Sequence, residues 1–481
     1  MVDVAITGVG LATARGGASE LAGAAAPSAI PWPLRPQAAS RLYRPARGVA
    51  EGPGPARVAA LIERALAACS GDAPIVVGTC NGTAASWRDE DWRTSFELAR
   101  LLAGTPWSGR VQAVASGACA SGIQALYLAR CLLAAGAPEV IALAVDIATA
   151  PAHDNFEGLR LLADAPAPFQ PEATGFMLGE AAVALRLARA DSGLAAGRAA
   201  RLAGPVLGYD LDGDDGIARC LAALGARADL VIGQGAGPVA GDRAELAAIA
   251  AHVPADVPLT TALHGFGHTL GASSLLSVAL AALATGARAP GAGEPAASHG
   301  ALAPLALPTA TVDGRPLGAR PAREAIAVCR ALGGACGACA VTAGASGPAP
   351  AEARLAPAEA RHAWGPRSAI PPLHDPVLRR IAAAAAAARP AEPVDLLIVT
   401  LETPLPPAVR IGGRILPTSV LEMTPGFVPQ LVARAWGHRG PALCLVGEDP
   451  APILAACRAT HERVFRLAIR GMEDRDVEWD V

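Results

Sequence analysis

Cys119 stands in the run Ala115-Ser-Gly-Ala-Cys-Ala-Ser-Gly-Ile-Gln-Ala-Leu-Tyr-Leu-Ala-Arg130, where a loop of small residues turns into an apolar helix. Small neighbours on both sides let a substrate approach the sulfur closely. A helix that begins just after the cysteine favours the thiolate through its dipole and unpaired N–H groups. A cysteine built this way can act as a nucleophile for acyl transfer. The same residues also suit a small buried side chain at a helix–strand contact. A histidine in a second glycine-rich turn, Gly267-His268-Thr-Leu-Gly-Ala272, offers the sulfur an imidazole partner.

The remaining composition narrows the chemistry. The chain has 481 residues, room for two or three domains, and a formal net charge of −3. It contains no lysine, so Schiff-base chemistry on a lysine is excluded and arginine carries the positive charge. No basic block is present, which argues against nucleic acid as the main partner. Ten cysteines lie scattered without a framework, and neither a signal segment nor an apolar run of transmembrane length is seen. A reducing cytoplasm is the expectation. Cys336-x-x-Cys339 lacks a second Cys/His pair at ligand spacing, so it reads as two small buried residues and no metal site is expected.

Periodicity supplies the elements that must hold these residues. Strands are expected at 2–10, 73–78, 140–145, 175–187, 230–232 and 338–342, with helices at 56–69, 92–104, 121–135, 243–251 and 273–285. Apolar strands alternating with helices predict an α/β fold whose sheet is covered on both faces. The Gly-, Pro- and Ala-rich stretch 286–322 reads as surface loop, and 344–351 as the domain boundary. Residues 352–481 carry their own helices (376–389, 427–436, 450–464) and strands (394–400, 441–446). This tail parallels the earlier chain. The strand at 395–400 matches that at 73–78, and 440–447 matches 109–116, with Asp449 where the first copy has Cys119. A half-repeat without a nucleophile reads as a supporting module packed on the first domain. Its charged end, 473–481, does not suit a buried central strand.

Four segments in register resemble the β-ketoacyl synthases of the thiolase fold, over residues 1–345. These are Val4-Ala-Ile-Thr-Gly-Val-Gly, Ala118-Cys119-Ala-Ser-Gly, Pro168-Phe169 with Gly175-Phe-Met-Leu-Gly179-Glu180-Ala, and Gly267-His268-Thr-Leu-Gly-Ala-Ser. The resemblance implies a layered α-β-α-β-α fold, with the tail as an extra α/β module similar to a partial chain-length factor. It also implies Cys119 as nucleophile and His268 as its imidazole. Backbone N–H groups of Cys119 and of the Gly333–Gly334 loop would form the oxyanion hole. An acyl carrier protein or acyl-CoA thioester is the implied substrate, without a cofactor, and a homodimer whose nucleophile-bearing halves meet across a continuous sheet is the implied assembly.

Departures from the family pattern limit the expected chemistry. Gln234 replaces the family's first histidine, and Ala236 and Pro238 replace threonines that contact the pantetheine arm. Leu263 stands for a lysine, and the gating phenylalanine is missing from the loop Ala331-Leu-Gly-Gly-Ala335. An amide can donate an N–H but cannot shuttle a proton, so decarboxylative condensation is expected to be weakened. His264 is an auxiliary candidate for the lost imidazole. Glu180 is expected to bind backbone N–H groups near the site, and His153 reads as a loop residue. The expected function is acyl transfer through Cys119 in fatty-acid- or polyketide-like specialised metabolism. The alternatives are a true decarboxylative synthase that tolerates Gln234, and a non-catalytic partner subunit resembling a chain-length factor.

Overall fold

The computed structural model describes residues 2–17, 21, 30–31, 42–49, 54–69, 71–83, 94–195, 200–211, 216–225, 227–237, 239–286, 310–311, 322–344, 367–370, 373, 375–404, 410–411, 414–415, 424–447, 449–470 and 476–480. Most of the expected surface stretch 286–322, the domain boundary, and Pro238 lie outside these residues.

One sheet of fifteen strands organises the molecule. In chain order these are β1 (Val4–Thr13), β2 (Ile75–Gly78), β3 (Val111–Ala115), β4 (Glu139–Asp146), β5 (Ala181–Arg189), β6 (Ala200–Tyr209), β7 (Leu230–Gly233) and β8 (Pro258–Thr261). They continue with β9 (Ala310–Thr311), β10 (Glu324–Arg330), β11 (Ala335–Thr342), β12 (Leu396–Leu401), β13 (Ala442–Val446), β14 (Val464–Arg470) and β15 (Asp476–Asp480). Their spatial order is β9-β8-β7-β10-β11-β6-β1-β5-β4-β2-β3-β13-β12-β14-β15. The principal helices are α1 (Gly54–Leu66), α2 (Ser121–Ala134), α3 (Gly216–Leu224), α4 (Val239–Ala250), α5 (Ser273–Ala284), α6 (Pro376–Ala387), α7 (Phe427–Trp436) and α8 (Ala451–Thr460).

Helices α2 and α5 are apolar nearly all round and almost wholly buried, as helices in a central layer must be. α2 packs on β4 and β2, α5 on β10, β7 and β11, and each packs on the other. At their crossing the Ser274 hydroxyl accepts the otherwise orphan N–H of Ile123 in the first turn of α2, at 3.0 Å. The result is the expected thiolase-like α/β layering.

The tail is not a separate body but an extension of the sheet. β13 pairs antiparallel with β3, Leu445 facing Ala115, and the Ser116 N–H donates to the Cys444 carbonyl at 2.9 Å. Across this seam the order β3-β2-β4-β5 on one side is mirrored by β13-β12-β14-β15 on the other. Directions agree as well. β2 runs parallel to β3 and β4, and β12 parallel to β13 and β14, while β5 and β15 pair antiparallel with the strand before them. α2 and α8, which follow the seam strands, pack side by side, with the Tyr127 hydroxyl 2.6 Å from His461 Nε2. The half-repeat is therefore a pseudo-two-fold built into one chain. The edge of β3, through which the implied homodimer would form its continuous sheet, is already paired with β13.

Several elements differ from the sequence reading. The expected strand 175–187 is broken at Glu180: Leu178–Gly179 pairs with Tyr43–Arg44, and β5 starts afresh in the main sheet. The helix expected at 92–104 is reduced to Leu98–Leu101. The last expected helix stops at Thr460, and the β-branched and aromatic residues after His461 form β14. The charged end forms β15, the last strand of the sheet among the described residues.

Candidate active site

The nucleophile candidate sits in a tight turn between β3 and α2. Ala118 holds a left-handed φ of 53°, unusual for a residue with a side chain. The Ser121 hydroxyl bonds the loop to itself and to the residue after β2, accepting from the Gly117 N–H at 2.9 Å and sharing its one proton between the carbonyls of Ala118 and Thr79. α2 begins at Ser121, two residues beyond Cys119. The backbone N–H groups of Leu332 and of Cys119 itself lie near the sulfur and favour its thiolate form. Burial, and then the carboxylate of Asp146, push the thiol up to about 12, so the resting residue is a thiol.

The partner of that sulfur within the loop Ala331–Ala335 is thus Leu332, and the expected glycines have other tasks. Gly334 donates its N–H to the Ala331 carbonyl at 2.9 Å and accepts from the Asp210 N–H at 2.8 Å. Its φ of 85° makes the turn. Gly333 lies against Gln430 of the C-terminal module. Leu332 is 42% exposed beside the opening.

His268 is pinned on three sides. Its N–H donates to Met177 O at 2.7 Å, its carbonyl accepts from Gly179 N at 3.0 Å, and its ring stacks on Phe176 at 4.4 Å between centroids. Burial holds the imidazole down at about 4, so it is neutral near pH 7. The Leu270 N–H donates to Nδ1 at 3.2 Å. A neutral ring that accepts at Nδ1 carries its proton on Nε2. Facing Nε2 at 3.4 Å is the Gln234 amide. The two ends of an amide are interchangeable in shape, so the hydrogen-bond network decides which end faces the ring. With a donor at Nε2, that end is the carbonyl oxygen. This orientation also gives a partner to Gln234 Oε1, which otherwise has none. The Gln234 NH2 is left as a donor beside the pocket.

Gln234's backbone is held independently of its side chain. Its N–H and that of Gly235 donate to the Glu245 carboxyl at 2.6 and 3.1 Å, and its carbonyl accepts from Thr261 Oγ1 at 2.8 Å. Burial, reinforced by Asp242, pushes Glu245 up to about 8.

Cys119, His268 and Gln234 line one cavity of about 300 Å³ with Phe176, Glu245, Arg330 and Leu332. The expected auxiliaries lie elsewhere. His264 is in the four-residue helix Leu263–Phe266, separated from His268 by the Gly267 turn at φ 72°, and does not line the cavity. Its carbonyl accepts from Arg44, and burial and that guanidinium hold its imidazole low. Glu180 forms a buried ion pair with Arg57 and accepts from the Ala46 N–H at 3.1 Å, tying α1 to the start of β5. Asp449 accepts from Ala451 N at 3.0 Å at the start of α8. Cys336 and Cys339 are buried, and among the described residues no group of three or more His, Cys, Asp or Glu is placed to hold a metal.

Two contributions were not read from the sequence. Asp146, at the end of β4, accepts from Thr79 Oγ1, Cys80 N, Asn81 N and Gly271 N, joining the loop after β2 to the His268 turn. Burial still lifts it to about 7. The second is α7, whose Gln430 and Arg434 line the cavity from the C-terminal module. A carboxylate closing an apolar strand, and a polar pair four apart on an otherwise apolar helix, were the available signals. The helix approaches so closely that a Cβ on Gly426 would lie 2.7 Å from Gly117 Cα.

Residues 107–192 match the model of the beta-ketoacyl synthase N-terminal domain. The whole chain superposes on a structure described as the PfaC keto synthase–chain length factor, with a TM-score of 0.74 at 13% identity over 98% of this chain and 74% of that one. The fold is a ketosynthase fold. A beta-ketoacyl synthase from Burkholderia phymatum matches 71% of this chain over its full length, with 22% identity and a TM-score of 0.55. A chain of a structure described as a type II PKS acyl-carrier protein in complex with its ketosynthase bound to the hexaketide matches at 17% identity, 71% of this chain, 99% of that one and a TM-score of 0.55. No curated protein matches the sequence. Among the described residues of this ketosynthase fold, no helix is long and apolar enough to cross a membrane.

Proposed function

We propose that this protein is a ketosynthase-type acyltransferase that takes an acyl group from a thioester onto Cys119 and passes it to an acceptor. The observation that carries this reading is the convergence of Cys119, His268 and Gln234 on one cavity, with the Cys119 and Leu332 N–H groups near the sulfur. Loading is a thioester exchange. The Cys119 sulfur bonds to the acyl carbon, the donor's C–S bond breaks, and the proton of Cys119 ends on the leaving thiol. The two N–H groups hold the carbonyl oxygen as charge builds on it. The donor is an acyl-carrier-protein or acyl-CoA thioester, the carrier being favoured by the likeness to a ketosynthase in complex with one.

Decarboxylative condensation needs donors at the enolate oxygen of a malonyl thioester. His268 Nε2–H is already engaged by the Gln234 carbonyl, so the enolate must displace that bond or share the donor. This supports a weakened condensation. The same pair leaves a true decarboxylative synthase as the runner-up, because the Gln234 NH2 still donates. A non-catalytic chain-length-factor role is disfavoured by a pocket that keeps both Cys119 and His268, and by a second half already present in the chain.

Intact-protein mass spectrometry tests the proposal. Acyl N-acetylcysteamine thioesters should add one acyl mass to the native protein and none to Cys119→Ala. Equal labelling of both proteins overturns the assignment.

A further inference from the structure

The Cys119 cavity sets charged and amide side chains into an apolar surface, among them Arg330, Gln430 and Arg434. Its apolar side chains are Phe176, Ala236, Ala331 and Leu332, against a larger set of charged and amide groups. A long hydrocarbon chain placed there would strip those groups of water without replacing their hydrogen bonds.

Two of the polar groups come from α7 and have capacity unused. Gln430 is 7% exposed, and its Oε1 has no hydrogen-bond partner. Arg434, one turn on, has a buried Nε with no partner, and its Nη1 reaches only the Ala369 carbonyl at 3.3 Å. No carboxylate among the described residues pairs with Arg434. The other cavity cation, Arg330, is ion-paired with Asp210 at 2.9 Å. The remaining carboxyl groups are tied to backbone N–H donors, Asp242 to Phe169 and Gly237, and Glu245 to Gln234 and Gly235. A guanidinium that lines the cavity without a protein counter-ion keeps donors free for a ligand. A carboxylate matches its fork of donors.

We propose that the acyl group received by Cys119 ends in a carboxylate, bound by Arg434 with the NH2 end of the Gln430 amide donating beside it, so that the preferred substrates are half-thioesters of dicarboxylic acids. This rests on the reading of Cys119 as the acylated residue. The C-terminal module then selects the acyl chain as well as completing the fold.

The test measures loading of the full chain with succinyl, glutaryl, butyryl and valeryl N-acetylcysteamine thioesters by intact-protein mass spectrometry. Succinyl or glutaryl should load faster than the neutral chain of matching length. Arg434→Met, which keeps the apolar stem, should lower that ratio about tenfold, the effect of one charge-assisted hydrogen bond. Arg434→Lys should restore part of it, and Gln430→Leu should lower it less. A native ratio near one, or a ratio unchanged in Arg434→Met, overturns the inference while acylation of Cys119 stands. Failure of every thioester to load overturns the acylation reading, and this inference with it.

Discussion

Replacing Gln234 by histidine bears most directly on the chemistry. In the native pair the Gln234 amide lies 3.4 Å from Nε2 of His268, and with the amide assigned so that its carbonyl faces the ring, the proton on that nitrogen is engaged. An enolate oxygen therefore meets one neutral amide donor and one donor already in use. Gln234→His removes the competing carbonyl and adds an imidazole donor. The backbone of position 234 stays anchored by Glu245 and Thr261 whatever its side chain, so the loop should survive the change. A single donor of this kind is worth about 10²–10³ in rate. Malonyl-thioester decarboxylation should then rise at least about tenfold and at most about a thousandfold. Release of carbon dioxide from a malonyl thioester is the readout, with Cys119 acylation measured on the same sample. Acylation uses the Leu332 and Cys119 N–H groups and should change by no more than a few-fold. Unchanged decarboxylation in a variant that still acylates would refute the argument that this amide limits the enolate step.

Three further outcomes follow. Removing the tail after residue 350 unpairs the β3 edge and uncovers α2, so the shortened protein should aggregate or melt well below the full chain in a thermal scan; equal melting and solubility would contradict the built-in seam. Arg57→Met should destabilise by about 3–5 kcal/mol, read from urea midpoints, because Glu180 would keep a buried charge without its partner; an effect within experimental error would mean that water reaches the pair. His268, held near 4 against 6.5 when unfolded, contributes stability that is complete above pH 6.5 and is lost as pH falls through 4. His268→Asn should therefore flatten the acid limb of the urea midpoint between pH 6.5 and 4, and an unchanged slope would place the acid sensitivity in other groups.

Local pattern was enough for the elements with strong periodicity and clean ends. Helices α2 and α7, strands β2 and β7, and the turn around His268 lie close to where apolar spacing and glycine place them. β6 was not expected because Gly204, Pro205 and Gly208 interrupt its run of apolar residues, yet Ala200–Tyr209 is a strand of the main sheet. α3 escaped because Gly216 opens it directly after an Asp- and Gly-rich run. The broken strand at Glu180 shows the same limit, since only the Arg57 partner on α1 explains where the chain leaves one sheet for another.

The sequence by itself determined the types of group available: a cysteine before an apolar helix, a histidine in a glycine turn, a glutamine in place of an imidazole, and a second half without a nucleophile. Those are properties of residue order, legible because turn and helix signals are local. Tertiary structure decided how the groups are used. The Nε2 proton of His268 follows from a contact with Leu270, the sulfur's N–H partner from a loop more than 200 residues away, and the polar wall of the cavity from Gln430 and Arg434. The half-repeat could be seen in the chain, but its mirrored place across the β3–β13 seam could not. Hydrogen bonds between distant strands and burial of a helix face depend on which surfaces meet, and no local spacing records that.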